Sequence, residues 1–491
     1  MPTASKAFAS LAQCLLCRAP RGGVEGTMNI RLTALVAGLI AMAGVATVAG
    51  QIGGVPQGGG RGRAGGPPPA PANLPASPTA VALPTLSPEV TGPGPMFDSA
   101  PSLAPGKGLA AFGYQAHEYM VSGTANGEPY TTRLVVRTPT DASKFSGLVL
   151  AEAMHGSGAA HMFEFTSIYT MSSGHAAVEI LTTPPAQFVA LNEPRYRAMK
   201  LNGAQTNEIL AQVGSLVRAG GLLPGPVRKM VLGGTSMTAG VLINYLPAHM
   251  VYRTPKMERI FDGFLPMSNG AMVRDVDVPM IHVPTMHEVS GNITNKQDSD
   301  EAGKQYRLYE FSGMGHIDTR DSVRMKPNPC ALPLSTFPVQ AYMSVALDHL
   351  LAWVDKGTVP PRADRILVDR NESNDGSMMA LDEYGNPRGG IRTVYVDVPT
   401  AKFTIRPAAA STVPADASAY IARGGQQAAT QMCGLSTSQV AIAPAKLKDM
   451  YKSKQAYAKA VEKRLTELEK AGWSLALYRS MILDDAAKVN F

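Results

Sequence analysis

Charge is scarce in this chain. Only 17% of its 491 residues are Asp, Glu, Lys or Arg, against roughly a quarter in an ordinary globular protein. The formal net charge of +7 is spread along the sequence, and no basic run interleaves with aromatic residues. That leaves out the usual footprint of a nucleic-acid binder, and the basic residues are read as solvated surface. Cysteine is scarce too, with four in all. Cys14 and Cys17 make a CxxC pair with no second pair to complete a metal site, so their spacing is read as chance. Cys330 and Cys433 remain as candidates for one disulfide in an oxidising compartment, if their Cα atoms come within reach. No His-Glu-x-x-His spacing is present, so His155, His161, His282 and His287 form no metal motif that sequence can recognise. There is no internal repeat.

Glycine and proline, by contrast, are plentiful at 48 and 38. Many fall in residues 51–95, which hold few large apolar side chains to offset the entropy of ordering, so this stretch is expected to be a disordered linker. Residues 28–50, MNIRLTALVAGLIAMAGVATVAG, carry one arginine, then an apolar run, then small residues, the anatomy of a signal peptide cleaved near residues 49–51. An uncleaved anchor is the alternative, since Leu32 to Gly50 almost suffices to span a bilayer. No cysteine stands at the cleavage point to accept a lipid. Residues 1–27 are then expected to be an extension ahead of a true start at Met28.

From residue 130 the pattern alternates. TRLVVRTP (132–139) and GLVLAEAM (147–154) read as a pair of strands, followed by strands in HAAVEILT (175–182), KMVLGG, VPMIHVPT (278–285) and QYRLYEFSG (305–313). Helical stretches separate them at 207–219, after Ser236 and at 340–357. This alternation predicts an α/β fold with a mostly parallel sheet covered on both faces. A charged helical pattern at 443–483 reads as a solvated helix.

The chemistry-bearing segment is MVLGGTSMTAGVLINYL (230–246): a β run, a glycine turn, Ser236, and an apolar helix that Pro247 is expected to close. A serine hydroxyl is a poor nucleophile without a base, and the base needs an orienting acid and a donor pair for the oxyanion. Taken alone, Gly-x-Ser in a glycine-rich chain is usually a turn. Set between a strand and a helix it becomes a candidate nucleophile elbow, although Thr238 stands where the second glycine of Gly-x-Ser-x-Gly is usual. Chain order supplies partners. Glu288 follows one late strand and His316 the next, as the acid and the base would, while Asp262, Asp298 and Asp300 are alternative acids and His287 reads as a surface neighbour of Glu288. The loop His155-Gly156-Ser157-Gly158 follows an early strand, so the amides of Gly156 and Met237 are the candidate oxyanion donors. His155, Ser157 and Thr235 are candidate pocket residues.

With these residues in place, the chain resembles the alpha/beta hydrolase domain proteins, bacterial serine hydrolases, over most of residues 110–490. The matching phrases include YTTRLVVRTP, KFSGLVLAEAMHGSG, NEPRYRAM, GGTSMTAGVLINYL, FDGFL, VPMIHVPTMHE, FSGMGHID, LDHLLAWVDKGTVPPRA and GNPRGGIRTVYVDVPTAKF. The resemblance implies an α/β-hydrolase fold over 96–491, with a C-terminal extension from about 360 belonging to the same unit, and it implies the triad Ser236, Glu288 and His316. Three departures bear on substrate class. Ala153 and His155 replace a usual tryptophan and asparagine, Thr238 replaces the elbow glycine, and Met286 replaces the first of two acid-loop carboxylates. The reading is a periplasmic or secreted serine hydrolase that cleaves a small-molecule carboxylic ester, with the C-terminal extension partly covering the site. It implies no metal or organic cofactor, no nucleic-acid partner, and no stable membrane insertion once the leader is removed. A lactonase or amide hydrolase using the same triad is the alternative, and an inactive hydrolase-like binding protein is the reading from another class. The methionines around the site read either as an adaptable pocket or, more commonly, as core filler.

Overall fold

The computed structural model describes residues 66–291, 296–369 and 378–490; the expectations for residues 1–27 and 28–50, and for 51–65 of the linker, lie outside them. A nine-stranded sheet forms the frame. Its strands are β1 (Thr85–Leu86), β2 (Tyr114–Ala125), β3 (Glu128–Pro139), β4 (Leu148–Ala153), β5 (Ala176–Ile180), β6 (Lys229–Thr235), β7 (Gly263–Met267), β8 (Met280–His282) and β9 (Tyr306–Leu308). They lie in the order β9-β8-β7-β6-β4-β5-β3-β2-β1. Every pair from β9 to β5 is parallel, and β3, β2 and β1 join antiparallel.

Alternation along the strands shows why helices cover both faces. Leu148 and Leu150 of β4 and Val231 of β6 point to one side, where they pack with Leu347 and Leu350 of α3 (Val339–Lys356). Val149 and Ala151 of β4, with Met230 and Leu232 of β6, face the other side. There they meet Ile209 and Val213 of α1 (Thr206–Ala219) and Leu242 and Leu246 of α2 (Met237–Val251). Burial of each Leu or Val side chain contributes about 1.5–3 kcal/mol, so both faces of these strands are held against helices. The strand order reverses at β4, whose neighbours β5 and β6 lie on opposite sides. A crevice at such a switch point lies beyond the carboxyl ends of the strands, and here the loop after β4 and the turn after β6 meet.

The fold differs from the sequence expectations at four places. The strands at 132–139 and 147–154 are not a pair, because β5 lies between them and bonds to both. The run QYRLYEFSG breaks into β9 and a separate strand Phe311–Ser312, which pairs with Ile391–Arg392 outside the main sheet. Pro247 does not end α2, which continues to Val251. An interior proline costs about 3 kcal/mol, but the next turn is retained by burial of Ala248 and His249 and by a bond from His249 Nε2 to Asp277 at 2.8 Å. Residues 79–95 were expected within a disordered linker. Instead, Thr79–Ala80 pairs with Tyr252–Arg253 and β1 pairs with β2.

A buried charge network explains why the segment just after β1 is held. Arg133 bonds both Glu118 and Glu179 (2.8 Å to the latter), Arg195 bonds Glu118 at 2.6 Å, and Arg137 bonds Glu179 at 2.9 Å. All of these side chains are nearly inaccessible. Further donors of Arg195 reach the carbonyls of Val90 and Gly94, and one of Arg133 reaches that of Phe97, so the strap at 90–97 solvates these two arginines, while Arg137 turns to Ser99 Oγ at 2.8 Å. Burial alone would raise Glu179, but Arg137 and Arg133 outweigh it and keep its carboxyl below the ordinary range. Glu179→Ala leaves two buried guanidiniums without their shared carboxylate and should cost about 3–5 kcal/mol of stability. Urea unfolding would show this as a lower midpoint at unchanged slope, whereas a loss below about 1 kcal/mol would mean that the network is not held as a unit.

Candidate active site

The turn after β6 sets the geometry. Gly234 approaches the next helix so closely that a Cβ there would stand 2.4 Å from the Thr238 carbonyl oxygen. Ser236 then takes φ 52° and ψ −115°, a left-handed conformation that costs a non-glycine residue about 1–3 kcal/mol. The turn is held by its neighbours: Ser236 N–H donates to the Met267 carbonyl of β7 at 3.0 Å, and Asn269 Nδ2 donates to the Ser236 carbonyl at 3.2 Å. Thr238, the departure from the glycine pattern, closes the turn by another means. Its buried hydroxyl accepts from Thr235 N–H at 3.0 Å and donates to the Thr235 carbonyl at 2.9 Å. Thr235, expected in the pocket, is itself buried as the last residue of β6.

Two late loops meet this turn. Ser236 Oγ lies 2.8 Å from His316 Nε2, and His316 Nδ1 lies 2.6 Å from Glu288 Oε1. The network assigns the proton on Nδ1 to the carboxylate bond, leaving Nε2 to accept from the serine hydroxyl. Glu288 also reaches back, at the spacing Thr285-x-x-Glu288, over the start of the short helix Met286–Gly291. Its Oε2 accepts from the Thr285 N–H at 2.7 Å and from the Thr285 hydroxyl at 2.6 Å. One carboxylate thus caps a helix and holds an imidazole. The Thr-x-x-Glu spacing is itself a sequence signal for a helix start at this loop. Burial acts to raise Glu288, but His316, then His287 and the Thr285 hydroxyl, outweigh it and bring the carboxyl down to about 2.

The alternative acids are occupied elsewhere. Asp262 binds Arg218 and the Met230 N–H, Asp298 binds Arg365, and Asp300 binds Arg307 and Arg362. His287 is not a surface neighbour but is 5% exposed. Its Nδ1 accepts from the His316 N–H at 3.2 Å, and its Nε2 donates to the Ser436 carbonyl at 3.1 Å. Burial lowers it to about 3, only partly offset by Glu288, so it is the neutral ring that links these two backbone groups. The His316 carbonyl accepts from Ser268 Oγ at 3.0 Å. Sequence offered no sign of Ser268, which lies far from His316 along the chain.

After β4 the loop brings Gly156 against the first residue of α2: a Cβ at Gly156 would stand 2.5 Å from Met237 Cε. Met237 is exposed beside the half-buried Ser236, whereas Met267, Met286 and Met314 are core. His155 Nδ1 lies 2.8 Å from Ser157 Oγ. Burial, then the nearby His161, Arg324 and His316, hold His155 well below its ordinary value. On the C-terminal side, Arg406 donates to the His287 carbonyl at 3.1 Å. Ser436 and Thr437 belong to a segment leading into the strand Thr437–Ala441, which pairs antiparallel with Ala401–Ile405. Cys330 and Cys433 form a disulfide with Cα atoms 5.7 Å apart. Among the described residues, no cluster of three or more His, Cys, Asp or Glu is arranged to hold a metal, and no helix is long and apolar enough to cross a membrane.

No curated protein matches the chain in sequence. Among solved structures, esterase Est22 is similar at 10% identity and a TM-score of 0.26. The match covers 36% of this chain and 66% of that one, so the chain spans just under two thirds of its length. Est22 has also been solved with p-nitrophenol. A cold-adapted esterase from an Arctic intertidal metagenomic library is similar at 13% identity and a TM-score of 0.23, over 40% of this chain and 83% of that one. An esterase from the archaeon Pyrobaculum calidifontis follows at 13% and 0.21, over 31% and 45%. Likenesses this distant carry nothing to the activity of this chain. The match to the alpha/beta hydrolase domain family is of another order: it runs from residue 84 to 483, and the chain belongs to that family of α/β-fold hydrolases.

Proposed function

We propose that the chain is an exported serine hydrolase that cleaves carboxylic esters through an acyl-enzyme. The observation that carries this reading is the unbroken bond chain from Ser236 Oγ through His316 to Glu288, with the serine held in a left-handed turn at the N-terminus of α2. In this reading Ser236 Oγ attacks the ester carbonyl carbon as its proton passes to His316 Nε2. The oxyanion is held by the N–H groups of Met237 and Gly156. Collapse of the tetrahedral intermediate breaks the bond to the alcohol, which takes the proton from His316, and water then repeats the sequence on the acyl-enzyme. Glu288 orients the imidazole and stabilises its charge. The disulfide supports export, since such bonds persist in oxidising compartments.

The first test is intact-protein mass after treatment with a fluorophosphonate. One adduct is expected on the parent and none on Ser236→Ala, whose ester kcat/KM should fall by about 10³-fold or more; a folded parent that takes no label would overturn the reading. Glu288→Gln should lower kcat by about 10²–10⁴-fold and also change the pH dependence of stability. Because the folded carboxyl sits at about 2 against an ordinary 4.5, its stabilising contribution is fully present above the unfolded value and is lost as pH falls toward the folded one. The variant should therefore trail the parent in urea unfolding near neutral pH and converge with it as pH falls through that window. Parallel curves would count against the pairing. His287→Leu leaves the His316 N–H and the Ser436 carbonyl without their partner. It should reduce kcat more than it raises KM, by about tenfold, as expected from the buried His316 N–H left unpaired beside the base, and His287→Gln, which can accept and donate, should recover part of the loss. Equal kinetics in both variants would reduce His287 to a packing residue.

A further inference from the structure

One cation beside the site lacks a carboxylate. Arg324 lies in the short turn Val323–Met325 and donates to Ser157 Oγ at 2.9 Å and to the Ser157 carbonyl at 3.1 Å. Among the described residues these are its only side-chain partners, so part of the guanidinium fork is unused. The carboxylates of this region are engaged. Glu164 takes His161 Nδ1 at 2.8 Å and the Ser102 N–H at 2.9 Å, Asp318 takes the Arg320 N–H, and Asp321 takes Gln340.

The arginine is also held in place. Its carbonyl accepts from Ser418 Oγ at 2.8 Å, and its neighbour Met325 is buried against the Cys330–Cys433 pair. Ser157 passes the contact inward, because its hydroxyl lies 2.8 Å from His155 Nδ1, and Gly156, between them in sequence, packs under Met237. Arg324 thus reaches the loop one residue from Gly156, and Gly156 lies against Met237, the residue that follows Ser236. Ser157 is exposed and Arg324 half-exposed, leaving the fork open to a ligand.

From the contact of Arg324 with the Ser157 edge of the oxyanion loop, we infer that the site selects esters carrying a carboxylate near the scissile bond, which Arg324 binds. A planar fork matches the two oxygens of a carboxylate, whereas a lysine would present only a point charge. The inference rests on the ester-hydrolase reading and narrows it to acidic esters.

The test compares kcat/KM within two pairs. Mono-para-nitrophenyl glutarate against para-nitrophenyl pentanoate places the acid on the acyl side, and para-acetoxybenzoate against its methyl ester places it on the leaving-group side. In the parent at low salt, the acidic member of one pair should be preferred at least tenfold, and that preference should shrink as sodium chloride is raised. In Arg324→Gln the preference should fall at least tenfold, with Arg324→Lys in between. Neutral esters favoured in both pairs, or a preference untouched by salt and by Arg324→Gln, would overturn the inference while leaving the hydrolase reading intact. Equal loss on both members in Arg324→Gln would make Arg324 a support of the loop and would also overturn it. Failure to cleave any of the four, with no phosphonate adduct, would remove both readings together.

Discussion

Gly234 and Thr238 come so near each other that no side chain fits on the former, and the geometry of the site follows from that contact. It forces the chain from strand into helix within one residue and leaves Ser236 in a left-handed conformation. The strain, on the order of 1–3 kcal/mol, is offset by bonds on all sides: to Met267 behind, to Asn269 beside, and through the Thr238 hydroxyl to both polar groups of the Thr235 backbone. A glycine in place of Thr238 would keep the same backbone approach and supply no such clamp. The family departure at Thr238 is therefore a different way to hold the same turn.

β4 and β6 carry apolar residues to both faces, as strands between two helix layers must, and the parallel strands deliver three loops to one edge. Charge is buried where β5 meets the antiparallel strands β3 and β2, through Glu179, Arg133, Arg137 and Glu118. Glu152, near the end of β4, lies beside that cluster, opposite Glu179. It accepts from the N–H groups of Met162 and Phe163, the residues just beyond the loop that carries Gly156, and burial with Glu179 behind it raises its carboxyl to about 8. The loop that carries Gly156 is thereby tied at its far end to the same region that holds the strap at 90–97.

The C-terminal region enters the site from behind rather than by supplying a reacting group. Its Ser436 carbonyl and Arg406 guanidinium grip His287, which in turn holds the His316 backbone. Thr437 packs so close to Gly315 that a Cβ there would stand 2.2 Å from its hydroxyl. The disulfide anchors Cys433 just before this contact. The match to the family likewise extends well past the last strand of the main sheet, to residue 483.

What sequence alone determined was local in origin. Continuous apolar runs identify β4 and β6, because each strand is buried on both faces. The order of Ser236, Glu288 and His316 was legible because each follows a strand, and parallel strands release their successors at one edge. Thr-x-x-Glu was there to be read as a helix start. Pairings across long separations were left to the tertiary structure. β5 inserts between β3 and β4, and α2 runs through Pro247 because burial outweighs a local penalty. Residues 79–95 are ordered because strands and buried arginines elsewhere need their backbone groups. The choice of Glu288 over Asp262, Asp298 and Asp300 was made by partners: each aspartate meets an arginine, and only Glu288 meets His316. A hydrogen bond depends on distance in space, and that distance is created by packing that no single stretch of sequence contains.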